Sequence, residues 1–118
     1  MQLGRIYDDP HDGTLRVLVD RLWPRGFRRD DPRIGRWLPA VAPSNELRRW
    51  YGHDPARFDE FTDRYRRELG GGAEATAFTE LADLVAHRDV TLITATREVD
   101  RSHLAVLARL LDADPGKP

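Results

Sequence analysis

The sequence contains no cysteine. Disulfides, thiolate metal ligands and thiol nucleophiles are therefore excluded. It also lacks any apolar stretch near the roughly 20 residues that a membrane span requires. The first residues, MQLGRIYDD, include acidic side chains and no apolar core of a secretory signal. We therefore expect a cytoplasmic protein that has no membrane partner.

Several motifs of common binding sites are missing as well. The chain has no GxGxxG motif for a dinucleotide and no P-loop for a nucleoside triphosphate. It also has no GxSxG motif, the signature of the nucleophile elbow in hydrolases. The pairs His11-Asp12 and His53-Asp54 fit no recognised spacing of metal ligands and lie in turn or helix-cap contexts. We predict neither a metal site nor a cofactor.

The charge is nearly balanced overall but not locally. The formal net charge is −1, whereas six arginines face three aspartates between residues 20 and 36. All but one of the nineteen basic residues are arginine, and the guanidinium group suits phosphate and carboxylate ligands. The coding bias of the genome explains the arginine excess equally well, and most arginines lie at solvated surfaces.

The length of 118 residues predicts one compact domain. We assign residues 1–112 to it and residues 113–118 to a C-terminal tail. The aromatic residues Phe58, Phe61 and Tyr65 recur at helical spacing and are predicted to lie in the core. The predicted elements are strands at residues 3–7, 15–23 and 90–96, and helices that begin after Ser44, at Pro55, near residue 74 and after Asp100.

These elements predict an α/β fold with a small, mostly parallel sheet flanked by helices. Residues 17–19 and 90–95 are mainly consecutive apolar residues, which is typical of strands covered on both faces. Helices precede and follow the strand at 90–96, so it should run parallel to a neighbour. Between the first two strands, Asp12-Gly13 favours a tight turn and an antiparallel hairpin, because the gap is too short for a helical crossover.

The residues that follow the two strong strands form the candidate site. Ligands of parallel sheets bind beyond the carboxyl ends of the strands. Successive strand residues point to opposite faces, so Asp20 and Arg21 share one crevice only if the strand ends before them. The polar residues at these strand exits are Asp20, Arg21, Arg25, Thr94, Thr96, Arg97, Ser102 and His103.

Roles follow from the chemistry of these side chains. His103 lies in the first turn of the last helix, where the helix dipole favours a neutral imidazole, and is predicted to be a catalytic acid or base that Asp20 orients. Arg21, Arg25, Arg97 and Ser102 are predicted to bind an anionic ligand. In the simpler interpretation, His103 only fastens its helix to the sheet through Asp20, and the arginines form structural ion pairs.

Four runs of the sequence resemble a known family. They are RIYDDP, DGTLRVLVDRLWPRG, APSNELRRWYGHDPARFDEFTDRYRRELG and TLITATREVDRSHLAVL. Together they are similar to the YeaO-like family, within a broader bacterial group, a domain of unknown function with Val-Asp-x-Arg and Cys-His-Arg type motifs. The resemblance places Asp20 at the first motif and Ser102, His103 and Leu104 at the second. Ser102 stands where the broader group tends to have cysteine. The resemblance also implies that strands one and two are parallel neighbours.

Two classes of function remain open at this point. The first is an enzyme or binding domain for a small anionic ligand that is phosphate-bearing or nucleotide-like. The second is a non-catalytic nucleic-acid or partner-protein binding module that uses the basic segment 21–36. Trp23, Trp37 and Trp50 could stack bases in that second case, although anchoring the edge of the core is the simpler interpretation. The first class is favoured, and the sequence leaves the oligomeric state open.

Overall fold

A computed structural model describes residues 1–9 and 13–112 as one α/β domain. Its sheet has four strands in the order β1-β4-β2-β3, and each neighbouring pair is parallel. The predicted fold class is therefore confirmed. The strands are β1 (Gln2–Arg5), β2 (Leu15–Leu18), β3 (Arg36–Trp37) and β4 (Val90–Thr94).

Four α-helices and three 3-10 turns complete the part of the chain that the structure describes. None of these helices is long and apolar enough to cross a membrane. The α-helices are α1 (Asn45–Tyr51), α2 (Phe58–Glu68), α3 (Gly72–His87) and α4 (His103–Asp112). The 3-10 turns are Pro39–Val41, Pro55–Arg57 and Val99–Arg101.

The helix ends follow their local chemistry, with two differences from prediction. Ser44 caps α1 as predicted, because its Oγ accepts a hydrogen bond from the Leu47 N–H at 3.1 Å. Asp54 caps a 3-10 turn, and α2 begins only after that turn. The last helix is capped by Ser102 and not by Asp100, since the turn Val99–Arg101 separates Asp100 from α4.

The order of the strands corrects the predicted hairpin. β4 lies between β1 and β2, with Leu92 in register with Leu3 on one side and Val17 on the other. β1 and β2 are thus parallel, as the family resemblance implies, but they are not neighbours. The two strands are separated by nine residues, 6–14, fewer than a helical crossover needs. Asp12 of the predicted turn lies outside the described residues.

The sheet is covered differently on its two faces. Val17 and Leu92 belong to the main core, to which buried residues of all four α-helices contribute. Leu18 and Ile93 point the opposite way and pack with Ile6. On that second face the partly buried residues are Trp23, Phe27, Ile34, Trp37 and Ala95. A loop therefore takes the place of a helix layer there. Phe61 and Tyr65 are buried in the main core, which confirms the aromatic stripe as core.

Candidate functional site

The carboxyl ends of β2 and β4 lie side by side and are joined by Asp20. Leu18 is in register with Ile93, so both strands end at the same level of the sheet. The Thr94 hydroxyl donates to Asp20 Oδ1 at 2.6 Å, and the Ala95 N–H donates to Oδ2 at 2.8 Å. Both carboxylate oxygens are thus already hydrogen-bonded by the neighbouring strand end.

His103, the first residue of α4, contacts the same carboxylate. Its Nε2 lies 3.0 Å from the Val19 carbonyl oxygen and 3.1 Å from Asp20 Oδ1. Since both neighbours only accept hydrogen bonds, Nε2 carries the proton in the neutral ring. Among the described residues no buried side-chain nitrogen lacks a partner, so Nδ1, which has none, must reach solvent. His103 therefore presents Nδ1 as a hydrogen-bond acceptor at this end of the sheet.

The pKa of the Asp20 carboxyl lies below its ordinary value. Burial alone would raise this pKa, but the hydrogen bond and the charge of His103 lower it. Hydrogen bonds from the Ala95 N–H and the Thr94 hydroxyl act in the same direction. Asp20 is therefore ionised at neutral pH.

Arg21 is held by backbone carbonyls. Its Nη2 donates to the Ala42 oxygen at 2.8 Å, and its Nε donates to the Pro43 oxygen at 3.3 Å. Because β2 ends at Leu18, the strand alternation no longer applies, and Asp20 and Arg21 line the same cleft. Arg21 thereby ties the exit of β2 to the segment that leads into α1.

The other sequence-predicted ligand residues have different surroundings. Arg25 lines the cleft, is exposed, and forms no ion pair or hydrogen bond with any described residue. Ser102 also lines it but is buried, with its hydroxyl donating to the Val99 oxygen at 2.7 Å and accepting from the Leu104 N–H at 3.2 Å. Arg97 is exposed and is not part of the cleft wall.

The cleft has a volume of about 820 Å³ and is basic. Its walls come from the exit of β2, from α1 with its flanking turns, and from the segment between β4 and α4. Its charged and imidazole side chains are Asp20, Arg21, Arg25, Arg48, Arg49, His53 and His103. Four arginines thus surround a single carboxylate, whose oxygens are already engaged.

Sequence reasoning missed the residues that α1 and the following turn contribute. Arg48, Arg49 and His53 line the cleft, but they lie far along the chain from both strand exits. Asn45, Arg48 and Arg49 recur at helical spacing, opposite the buried Leu47. That pattern identifies a solvent-facing side of α1 and does not reveal that this side borders a cleft.

The arginines of segment 21–36 are mostly engaged elsewhere. Arg29 lies over the Trp23 and Trp37 rings, at 4.9 and 5.3 Å from their centroids. The two indole rings meet edge to face at 5.4 Å. Ion pairs of this segment join Arg28 to Asp30, Arg33 to Asp31 and Arg36 to Glu80. Arg21 is held by backbone carbonyls, so Arg25 is the one arginine of this segment that forms no ion pair, hydrogen bond or ring contact within the described chain.

Metal-ligand geometry is not present in the described ranges. No group of three or more histidine, cysteine, aspartate or glutamate side chains could hold an ion there. Asp54 accepts a hydrogen bond from the Ala56 N–H at 3.0 Å, as expected of a cap. His11 and Asp12 lie outside the described residues.

Fold and cleft together define a class, a single-domain α/β protein with a basic cleft at the carboxyl ends of a parallel sheet. The family can also be stated: residues 1–115 match the family described as the inactive DUF488-N3 subclade, and the chain belongs to it. Uncharacterised proteins of Mycobacterium bovis and Mycobacterium tuberculosis are 54% identical to it over 114 residues, 95% of this chain and 93% of theirs. The uncharacterised protein YeaO of Escherichia coli is 33% identical over 110 residues, 92% of this chain and 93% of YeaO. The YeaO-like resemblance is confirmed. No solved structure matches the chain.

Proposed function

We propose that this protein binds a small anionic ligand, phosphate-bearing or nucleotide-like, in the cleft at the carboxyl ends of β2 and β4. The observation that carries the proposal is the charge imbalance of the cleft, in which four arginines face one engaged carboxylate. The volume of about 820 Å³ falls within the range of small-molecule sites. An anion is the ligand that such a wall attracts.

The free groups of the cleft suit this chemistry. Arg25 has no partner among the described residues, so its guanidinium is available for the paired hydrogen bonds that phosphate and carboxylate accept. Leu22 and Trp23 add apolar surface to the same walls. Such surface favours a ligand that carries a ring beside its charged group.

Binding without catalysis is the form of the proposal that we favour. The family is described as inactive, and the Ser102 hydroxyl is committed to the Val99 oxygen and the Leu104 N–H. The catalytic role predicted for His103 and Asp20 stays a prediction. In the binding proposal, Asp20 holds the imidazole in place, and the unprotonated Nδ1 of His103 can accept a hydrogen bond from a hydroxyl or amino group of the ligand.

The alternative, a nucleic-acid binding module built on segment 21–36, receives less support. Five of the six arginines in that segment are bound to backbone carbonyls, carboxylates or aromatic rings. A segment in which most cations already have partners in the protein offers them less readily to a phosphate backbone. The salt dependence of binding separates the two functions, because nucleic-acid affinity falls steeply with salt concentration.

The test is a titration with adenosine 5′-monophosphate and with inorganic phosphate, followed by NMR of the backbone amides. We expect shifts at Ala95, Thr96 and His103. Arg25→Gln should weaken binding about tenfold or more, since a charged hydrogen bond contributes about 1.5 to 3 kcal/mol. Arg66→Gln is the matched control, because Arg66 is exposed and lies outside the cleft wall.

Two results would contradict the proposal. Amides around the cleft that do not shift at millimolar concentrations of either compound would show that the cleft takes neither. An equal loss of affinity in Arg25→Gln and Arg66→Gln would show that only the overall charge matters. Tight binding of DNA or RNA that falls steeply with salt would favour the nucleic-acid function instead.

A further inference from the structure

The wall that α1 contributes to the cleft carries two arginines without acidic partners. Arg48 Nη1 donates to Asn45 Oδ1 and Arg49 Nε donates to the Asn45 carbonyl oxygen, both at 3.4 Å. These are long contacts to neutral acceptors at an exposed position. Neither arginine forms an ion pair with any described residue, so a ligand can recruit both guanidinium groups without breaking one.

Arginines on the neighbouring surface are bound differently. Arg64 pairs with Glu60 and also lies over the Trp50 ring, at 4.3 Å from its centroid. Arg57 pairs with Asp54 at 3.7 Å. These two arginines outside the cleft have carboxylate partners, while Arg48 and Arg49 inside it have none among the described residues. Exposed arginines elsewhere, such as Arg66 and Arg88, are also unpaired within the described chain, so Arg48 and Arg49 are distinguished by their place on the cleft wall.

The position of α1 is fixed from both ends. At its start, the Ser44 N–H and hydroxyl donate to the two Glu68 carboxylate oxygens at 2.9 and 2.6 Å. The preceding carbonyls are held by Arg21. At its end, the Tyr51 hydroxyl donates to the Arg101 carbonyl oxygen at 2.7 Å. The helix is thus held against the other two walls of the cleft before any ligand arrives, which limits the entropy lost on binding.

His53 extends this wall in an unusual conformation. Its φ is 58°, and it is the one non-glycine residue with positive φ in the described ranges. L-residues rarely adopt this conformation, and such strain tends to persist at functional sites. Gly52 before it has φ of 55° and ends α1. The turn thereby keeps the His53 imidazole on the cleft wall.

Arg48, Arg49 and His53, with Arg25 from the exit of β2, are four cationic or hydrogen-bonding groups that line one cleft. A carboxylate has two oxygens and one charge, and a phosphodiester has two free oxygens and one charge. A terminal phosphomonoester has three free oxygens and nearly two charges. Of these three anions, it can engage the largest number of these groups at once.

We propose that Arg48, Arg49 and His53 form a subsite for a terminal phosphomonoester group, the charged end of the ligand that the cleft binds. This inference rests on the proposed function and deepens it, because it names the class of anion and the residues that select it. Arg21 is then a positioning residue that acts through the segment before α1, and Arg25 lines the same cleft from the exit of β2.

The test compares three probes by isothermal titration calorimetry: adenosine 5′-monophosphate, adenosine 3′,5′-cyclic monophosphate and adenosine. They share the ring system and differ in the phosphate. The wild-type protein should prefer the monophosphate by about tenfold or more over each of the others. The double variant Arg48→Gln/Arg49→Gln should lose that preference. His53→Asn, which tolerates the same backbone conformation, should reduce the preference in part.

The matched control is Arg66→Gln/Arg88→Gln, which removes two exposed positive charges outside the cleft. It should change the affinity for the monophosphate by less than about threefold, since its charges are distant and screened by salt. Melting curves of both double variants should match the wild type, because none of the four side chains is buried or ion-paired within the described chain.

The outcomes separate this inference from the proposed function. If Arg25→Gln weakens binding and Arg48→Gln/Arg49→Gln does not, the cleft binds its ligand and the α1 subsite is wrong. Equal affinity of the wild type for the three probes, or an equal loss in the control double variant, also overturns the subsite. If none of the three probes nor inorganic phosphate binds the wild type, both proposals fail.

Discussion

Replacing Asp20 by Asn tests how strongly one carboxylate holds the two central strand ends and α4 together. The Asp20 side chain is 17% exposed and that of His103 is 11% exposed. Asn keeps one oxygen that can accept from the Thr94 hydroxyl. With that oxygen at the Oδ1 position, which also faces His103 Nε2–H, the amide group of Asn faces the Ala95 N–H, and two donors meet there. The charge that lowers the energy of the buried cluster is lost as well.

The size of the effect follows from these contacts. A hydrogen bond to a charged group contributes about 1.5 to 3 kcal/mol, and removing one partner of a buried pair costs about 3 to 5 kcal/mol. Since Asn retains one contact, we expect the free energy of unfolding to fall by about 2 to 4 kcal/mol. For a domain of this length that corresponds to a loss of roughly 8 to 16 °C in melting temperature.

Urea unfolding followed by circular dichroism measures this change, with Asp30→Asn as the control. Asp30 pairs with Arg28, and both side chains are more than three-quarters exposed. Exposed pairs of this kind contribute little, so the control should lose less than about 0.5 kcal/mol. If Asp20→Asn and Asp30→Asn destabilise the protein equally, the Asp20 cluster does not hold the strand ends together.

Three further changes have expected outcomes. Phe61→Ala should cost about 3 to 5 kcal/mol, because the ring is buried and stacks on Tyr51 at a centroid distance of 4.3 Å; an unchanged melting temperature would mean that the stripe is a binding surface instead. Ser102→Ala should cost about 1 kcal/mol through loss of the α4 cap, measured by urea unfolding, and no loss would mean that α4 needs no cap. Because folding lowers the pKa of Asp20, its ionised form stabilises the protein above about pH 4, and this contribution is lost as the pH falls through the folded-state pKa. The difference in unfolding free energy between wild type and Asp20→Asn should therefore shrink at pH 3, and a constant difference would contradict the assignment.

Strands with strong local signals were predictable from the sequence. The apolar runs around Val17 and Leu92 predict buried strands whatever the tertiary arrangement, because both faces of such a strand are apolar and must be shielded from water. The strand Arg36–Trp37 was missed, since it has two residues and no apolar run. It exists through its pairing with β2, in which Trp37 is in register with Leu18. A local pattern cannot contain that information.

The order of the strands depends on a segment far along the chain. A tight turn favours a hairpin only if nothing else competes for the edge of β2. Here β4, from the C-terminal third of the chain, occupies that edge, and its five residues are all buried. The gain from burying β4 between two strands outweighs the local preference of the turn.

The sequence predicted those residues of the candidate site that directly follow a strand or begin a helix. Asp20 and His103 were found because the end of a strand and the start of a helix can be recognised locally, and the structure brings them within 3.1 Å. Arg48 and Arg49 were missed because α1 reaches the cleft through tertiary contacts, among them those of Arg21. Whether Arg21 and Arg97 bind a ligand stays a prediction.

The basic loop after β2 shows why an arginine-rich segment need not be a binding surface. With all four α-helices packed on one face of the sheet, the other face has only this loop to cover Leu18 and Ile93. The loop does so with indole and phenyl rings, and arginines lie over those rings as cation–π partners. Arg29 and Arg33 are therefore part of this cover. Arg25 is not, and this unpaired cation instead lines the same cleft as Arg48 and Arg49 of α1.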